Sequence, residues 1–473
     1  MKKIFKDHIV AIFLFLFFFV AYFFVLVIKH DVQFQTFGLD LGFYDQIIHK
    51  ASDLDFSKST IAEVVDINYY LSFFENDFHL PLLAIALFYK LWPSIYWIFF
   101  SQTLFSALIG LLLYFAAFKK TGSKFFALAI MFATLLSVPF QHVIFDGFTP
   151  EVFGAFFLAL CFLSIFLKSK PLIYLSALGM VISKVEFSPI VFLVGIILIL
   201  FEKQLKTGFV LMIFGAFSFI FLVYFLNPLI SPDYQNYAHL SLGYGQIGQN
   251  PVQVIVNIFT KPLLVLDAVI NPAIKLNYLF QQLFSFGFLP IGGIFSWPLL
   301  GYELFTRMGN NVMIAKWPLH SYTISTTLAI GTIYFGAYFR QKSKIVFLSL
   351  WLFVFAVLGD LFFHGPLNSF LKPSFYRVPI WAKNNHEIFS QIPKTAAVSA
   401  NNSLVPHLSQ RDKIYIFPNI ADAQYVALDL ANRPNSFTPS NFEKAQETFL
   451  NLIQSGQFKI IYKQENVVLL KRT

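Results

Sequence analysis

The sequence predicts a polytopic α-helical membrane protein of about eleven spans, with a small α/β domain at its C-terminal end. Three observations carry this. Of 473 residues, 57% are hydrophobic, 63 are Phe and only 12% are charged, whereas a soluble surface needs about twice that charge. The basic residues fall in short clusters at the ends of apolar stretches, which is how topology is marked in membranes. From residue 363 onward the composition becomes ordinary in charge and lacks any long apolar run.

Each element follows in turn. Ile9 to Ile28 is 20 residues without a charge, enough at about 1.5 Å per residue to cross the roughly 30 Å hydrocarbon core. Its basic start resembles a signal peptide, but the run is too long and no small-residue cleavage site follows, so a retained signal anchor is expected. Lys2, Lys3 and Lys6 place the N-terminus in the cytoplasm and residues 29 to 79 in an outer loop. The clusters Lys119/Lys120/Lys124, Lys168/Lys170, Lys203/Lys206 and Arg340/Lys342/Lys344 are then cytoplasmic. Spans near 95–118, 124–142 and 152–167 satisfy this path. The stretch 80–91 reads as a surface or re-entrant helix because of Lys90 and Pro93.

Residues 171–201 must go out and return within about 30 residues, too few for two full crossings. A pair of short helices turning at SKVEFSP is expected. Residues 207–226 cross outward, and 227–277, rich in Pro, Gly, Asn and Tyr, form a second outer loop with surface helices. FGFLPIGG within 278–306 breaks any single helix, giving a second short pair. Spans into Arg340 and across 345–362 complete residues 1–362 as the membrane domain. Residues 363–473 are expected outside, with strands at 396–400, 413–417 and 424–430, a helix around 441–455, and a hairpin turning at Glu465 and Asn466.

The net charge of +9 marks topology rather than a nucleic-acid surface. The single cysteine, Cys161, excludes intrachain disulfides and Cys-based zinc sites. Charges near lipid are costly, on the order of 2.5 to 3.5 kcal/mol each at a helix centre, so their one-sidedness carries information. Asp40, Asp45, Glu75, Asp77, His79, Asp146, Glu151, Lys184, Glu186 and His320 all fall on the outer side of this topology. A carboxylate beside apolar spans can act as a general base toward a hydroxyl. Cations in the same region can hold a lipid-linked phosphate. Each also has a plain structural reading: helix caps for Asp40 and Asp45, a turn ion pair for Lys184 and Glu186, a wetted loop for Asp146 and Glu151, and interfacial histidines for His79 and His320. The acids can bind a divalent cation, but no spacing demands it, and no metal ligand set is assigned.

DLGFYDQ at 40–46, the turn before Glu151, the Lys184/Glu186 turn and SANNSLVPHLSQRDKIYIFP at 399–418 resemble the prokaryotic membrane proteins grouped as domain of unknown function 2079. That family is similar to the C-type integral-membrane glycosyltransferases (GT-C fold), which take sugars from polyprenyl-phosphate carriers on the outer face. The resemblance implies a plasma-membrane, cell-envelope enzyme that needs no cofactor. It maps the base onto Asp40, with Asp45 in reserve. It departs from the family pattern at Thr149 before Pro150 and Glu151, at Phe78 before His79, and at the looser Lys184, Val185, Glu186.

The reading that follows is sugar transfer from a polyprenyl-phosphate donor to an extracytoplasmic acceptor. Lys184, His320 and Arg377 would hold the donor phosphate, and Asn401, Asn402, His407 and Arg411 would recognise the acceptor. Two rivals remain: a transporter or lipid flippase, which calls for midplane charges and matching halves, and a non-catalytic envelope assembly protein.

Overall fold

The apolar runs fold as helices, the solution lipid demands of a single segment, since only a helix satisfies its backbone groups internally. The computed structural model describes residues 7–61, 72–74, 79–230, 246–248, 251–309, 321–433, 436–437 and 442–473. Lys2, Lys3, Lys6, Glu75, Asp77 and His320 lie outside the described residues, as does much of the expected loop 227–277.

Helices α1 (Ile9–Asp31), α2 (Phe43–Ser52), α3 (Pro81–Leu91), α4 (Tyr96–Thr121), α5 (Lys124–Leu136), α6 (Val138–Phe145) and α7 (Glu151–Leu167) come first. The expected short pair is α8 (Lys170–Ser183) and α9 (Phe187–Leu200), turning at Lys184 to Glu186. Next are α10 (Leu205–Ile230), α11 (Pro251–Thr260), α12 (Pro262–Ile270), α13 (Ile274–Ser285), α14 (Trp297–Met308), α15 (Ser321–Ala337) and α16 (Lys342–Phe362). The GFLPIGG stretch breaks α13 from α14 through two short 3-10 turns.

Among the described residues, α1, α4, α10 and α16 are by length and composition long and apolar enough to cross a membrane. Counting α5 with α6, bent by 48°, and α12 with α13, bent by 78°, raises the number to six. At the first bend Gln141 Nε2 donates to the carbonyl of Leu136 at 2.9 Å, giving the broken end a partner. Helices α9 and α10 pack backbone to backbone. A Cβ on Gly195 would lie 2.7 Å from the Gly208 carbonyl, the small-residue contact by which apolar helices approach.

Contacts divide the chain into two compact units. The first comprises Met1–Tyr22, Gln102–Ile144 and Thr149–Ser369, the second Phe23–Ser101, Phe145–Phe148 and Phe370–Thr473. Against the expected break at 362/363, the boundary falls after Ser369, and the C-terminal residues share their unit with Phe23–Ser101 and Phe145–Phe148.

The sheet of the second unit has five strands in the order β2-β1-β3-β5-β4. They are β1 (Val398–Ala400), β2 (Ile414–Ile416), β3 (Tyr425–Asp429), β4 (Phe458–Gln464) and β5 (Val467–Arg472). Strand β1 runs parallel to β2 and β3, and β5 is antiparallel to β3 and β4. The hairpin turns at Glu465 and Asn466 as its sequence predicts, with Glu465 at φ 50°. Helix α17 (Ile380–Ser390) precedes the sheet and α18 (Phe442–Gln454) packs on it. The core there is built by Val426, Leu428, Phe437, Ala445, Phe458, Val468 and Leu470, each large side chain contributing about 1.5 to 3 kcal/mol.

Candidate functional site

In the second unit the stretch after α1 is pressed against the C-terminal motif. GLDLG at Gly38–Gly42 forms a π turn leading into α2. Glycine is required at both ends by close approach: a Cβ on Gly38 or Gly42 would lie 2.8 or 3.0 Å from Val405 Cγ1. The Gly38 N–H donates to Asn402, to its carbonyl at 2.9 Å and its Oδ1 at 2.8 Å. Asp40 stands between these glycines, partly buried, in a turn of fixed backbone.

Asp45, one helical turn on, is fully buried. It accepts from Tyr89 Oη at 2.6 Å, Ser409 Oγ at 2.5 Å and Gln410 Nε2 at 3.1 Å. Burial pushes its carboxyl above the usual range, and those three donors partly offset this. Gln46 beside it donates to the carbonyls of Arg411 at 3.0 Å and Asp412 at 3.1 Å, and accepts from Ser59 Oγ at 2.6 Å. Thr60 Oγ1 bridges to Ile414, accepting its N–H at 2.9 Å and donating to its carbonyl at 2.7 Å.

The residues expected to recognise an acceptor are occupied in the same fastening. Asn401 Oδ1 accepts from the Asp429 N–H at 2.8 Å. Arg411 caps backbone carbonyls, donating to Leu408 at 2.6 Å, Ala396 at 2.9 Å and Pro393 at 3.3 Å, and burial lowers it to about 10. His407 stacks on His30 with ring centroids 3.9 Å apart, and burial holds it well below its usual pKa. These side chains hold the motif together and to the 30–46 segment. Elsewhere in this unit, Lys29 Nζ reaches Asp146 at 3.4 Å and the Phe145 carbonyl at 3.0 Å. His79 is buried with its ring against Tyr44, and Arg377 is exposed at the end of a 3-10 turn.

The first unit holds a separate charge cluster. Arg307 Nη2 lies 3.1 Å from Glu186 and 3.6 Å from Glu151, and its Nε is 3.8 Å from Glu303. Lys184 reaches Glu186 at 3.3 Å. Glu151, at the start of α7, also accepts from the N–H of Thr323 at 3.1 Å and from its hydroxyl. Tyr302 Oη donates to the Glu186 carbonyl at 3.1 Å, tying the α8–α9 turn to α14. Among the described residues, three carboxylates thus face two cations. Glu186 is the most exposed member of these pairs, 35% against 4% for Arg307 and 10% for Lys184.

Of the residues expected to act, the structure brings together Glu151, Lys184 and Glu186 in the first unit. In the second, Asp45 lies with the 401–411 motif. Sequence reasoning missed Arg307, Glu303, Tyr89, Ser409 and Gln410. For the first two a signal existed: a Glu and an Arg four apart in an otherwise apolar helix face something polar.

A family model described as Predicted membrane protein (DUF2079) matches residues 30–469. No curated protein matches the chain. Among solved structures, the crystal structure of ArnT from Cupriavidus metallidurans bound to undecaprenyl phosphate is similar, with a TM-score of 0.51, 13% identity and 98% of each chain covered. The apo form of that protein gives 0.49 at 14% identity over 95% of each chain. The expected likeness to the C-type glycosyltransferases holds at the level of fold. Matched over nearly its whole length, the chain belongs to the DUF2079 family of predicted membrane proteins.

Proposed function

We infer that the protein is a membrane glycosyltransferase of the C-type architecture, with about eleven membrane helices and its C-terminal sheet outside the cytoplasm. It moves a sugar from a polyprenyl-phosphate donor to an extracytoplasmic acceptor. The observation that carries this is the fold likeness over 98% of both chains to a protein solved with undecaprenyl phosphate.

In this reading Asp40 takes the proton of an acceptor hydroxyl as that oxygen bonds to the anomeric carbon. The bond from that carbon to the phosphate oxygen breaks, and the phosphate leaves with the electron pair. Lys184 and Arg307 neutralise the phosphate, which replaces Glu186 as their counter-ion; a guanidinium suits a phosphate's paired oxygens. Asp45 acts as a positioning residue, because all three of its partners are donors that already hold it. His320 and Arg377 remain proposed phosphate contacts.

The test is turnover by purified protein in lipid with a panel of labelled polyprenyl-phosphate sugars. Transfer from one donor supports the reading. Neither transfer nor donor binding would overturn it.

A further inference from the structure

The end of α1 and the VPHLSQR motif share a second cluster that the transfer reading does not use. A ligating atom from each of His30, Asp31 and His407 lies within 4.8 Å of the other two. All three are prepared in the way metal ligands are. His30 Nδ1 is hydrogen-bonded to Thr36 Oγ1 at 2.8 Å, which turns its Nε2 toward Asp31 Oδ1, 3.9 Å away. The His407 ring stacks on that of His30, centroids 3.9 Å apart. Its Nε2 is buried with no hydrogen-bond partner among the described residues, an arrangement that is costly for a nitrogen lone pair unless something coordinates it. Asp31 Oδ2 accepts from Tyr96 Oη at 2.8 Å, and its carbonyl meets His386 Nε2 at 2.8 Å. Histidines that bind metal characteristically hydrogen-bond through the other ring nitrogen, and ligating carboxylates are likewise held.

We propose that His30, Asp31 and His407 form a zinc-type divalent metal site that clasps the end of the first span to the C-terminal motif. Two imidazoles and one carboxylate are a ligand set zinc accepts, with a fourth position left for water. Alkaline-earth ions prefer all-oxygen sets. Metal–ligand distances of about 2.0–2.2 Å place tetrahedral ligands roughly 3.3 Å apart, so the three atoms must close by at most about 1.5 Å. The rings are 11° from parallel, so one must tilt for both lone pairs to converge. His407 is intermediate in burial, whereas His30 is buried, so the tilt is assigned to His407. The site lies within the second unit and rests on no assumption about sugar transfer.

The experiment uses full-length protein purified in lipid, stripped with chelator and titrated with Co2+ as a visible probe, then with Zn2+ in competition. Expected is one Co2+ per chain, with the intense absorption of a four-coordinate site, displaced by Zn2+. His407→Phe, which keeps the ring packing with Phe34 and Phe389, should weaken binding at least about 100-fold, as should Asp31→Asn. Both are included so that a folding failure in one leaves the other to read. Absence of stoichiometric binding by the wild type, or unchanged binding in whichever variants fold, would overturn the site and leave the pair as stacked neutral rings.

Discussion

Asp45 is a buried carboxylate that accepts from three side chains of its own unit. Replacing it by Ala takes this acceptor from the buried hydroxyl of Tyr89 and the part-buried amide of Gln410, at about 1 to 3 kcal/mol for a buried group stranded, while Ser409 keeps the Pro406 carbonyl. Thermal unfolding should therefore drop sharply for Asp45→Ala and less for Asp45→Asn. The pH dependence has a definite sign. Burial raises the Asp45 carboxyl above 3.8, so its contribution to stability is full below that value and is lost as pH rises through the folded-state value. Asp45→Asn should accordingly gain on the wild type across that rise. Asp422 behaves oppositely: its hydrogen bonds from Lys413 and Tyr415 lower it, so its contribution is present above 3.8 and is lost as pH falls through the lower folded value. A gap between wild type and Asp45→Asn that does not change with pH would contradict the burial argument.

At the scale of elements, the π turn at Gly38–Gly42 is specified by what lies against it. A methyl on Gly42 would sit 3.0 Å from Val405 Cγ1, and overpacking of this kind costs about 1 to 3 kcal/mol. Gly42→Ala should destabilise, and Val405→Ala should recover part of the loss, so a double-mutant cycle should give a coupling of about 0.5 kcal/mol or more. Simple additivity would mean the turn is not set by that contact. The helices, the α8–α9 turn and the C-terminal strands were legible in the sequence because each is an apolar run punctuated by charge, Gly or Pro. The partners of the motif at 399–418 were not. Ser409 and Asp45 are 364 residues apart, and nothing local to either announces the other. The hydrogen bonds that tie the motif to the 30–46 segment are therefore invisible in the sequence, where only its polarity shows.

For the molecule as a whole, the balance of buried charge decides what can be removed. Arg307 is 3% exposed and faces Glu151, Glu186 and Glu303, so Arg307→Met strips a buried group of its cation at about 3 to 5 kcal/mol. Its folded yield should fall well below that of Lys184→Met, which leaves Arg307 to hold Glu186. Equal yields would show that the cluster does not depend on the guanidinium. Neither Arg307 nor Glu303 stood out when the chain was read for topology, because reading 278–306 as a broken short-helix pair says nothing of what its polar residues face. Their role emerges only when α7, the α8–α9 turn and α14 are seen to meet. The account's central claim is that this fold carries out sugar transfer with Asp40 as base. The measurement that tests it most directly compares wild type with Asp40→Asn at equal folded yield, scoring both transfer from the accepted polyprenyl-phosphate donor and binding of that donor. The account predicts that transfer falls by about 100-fold or more while binding stays within a few-fold. Transfer undiminished in Asp40→Asn would contradict it.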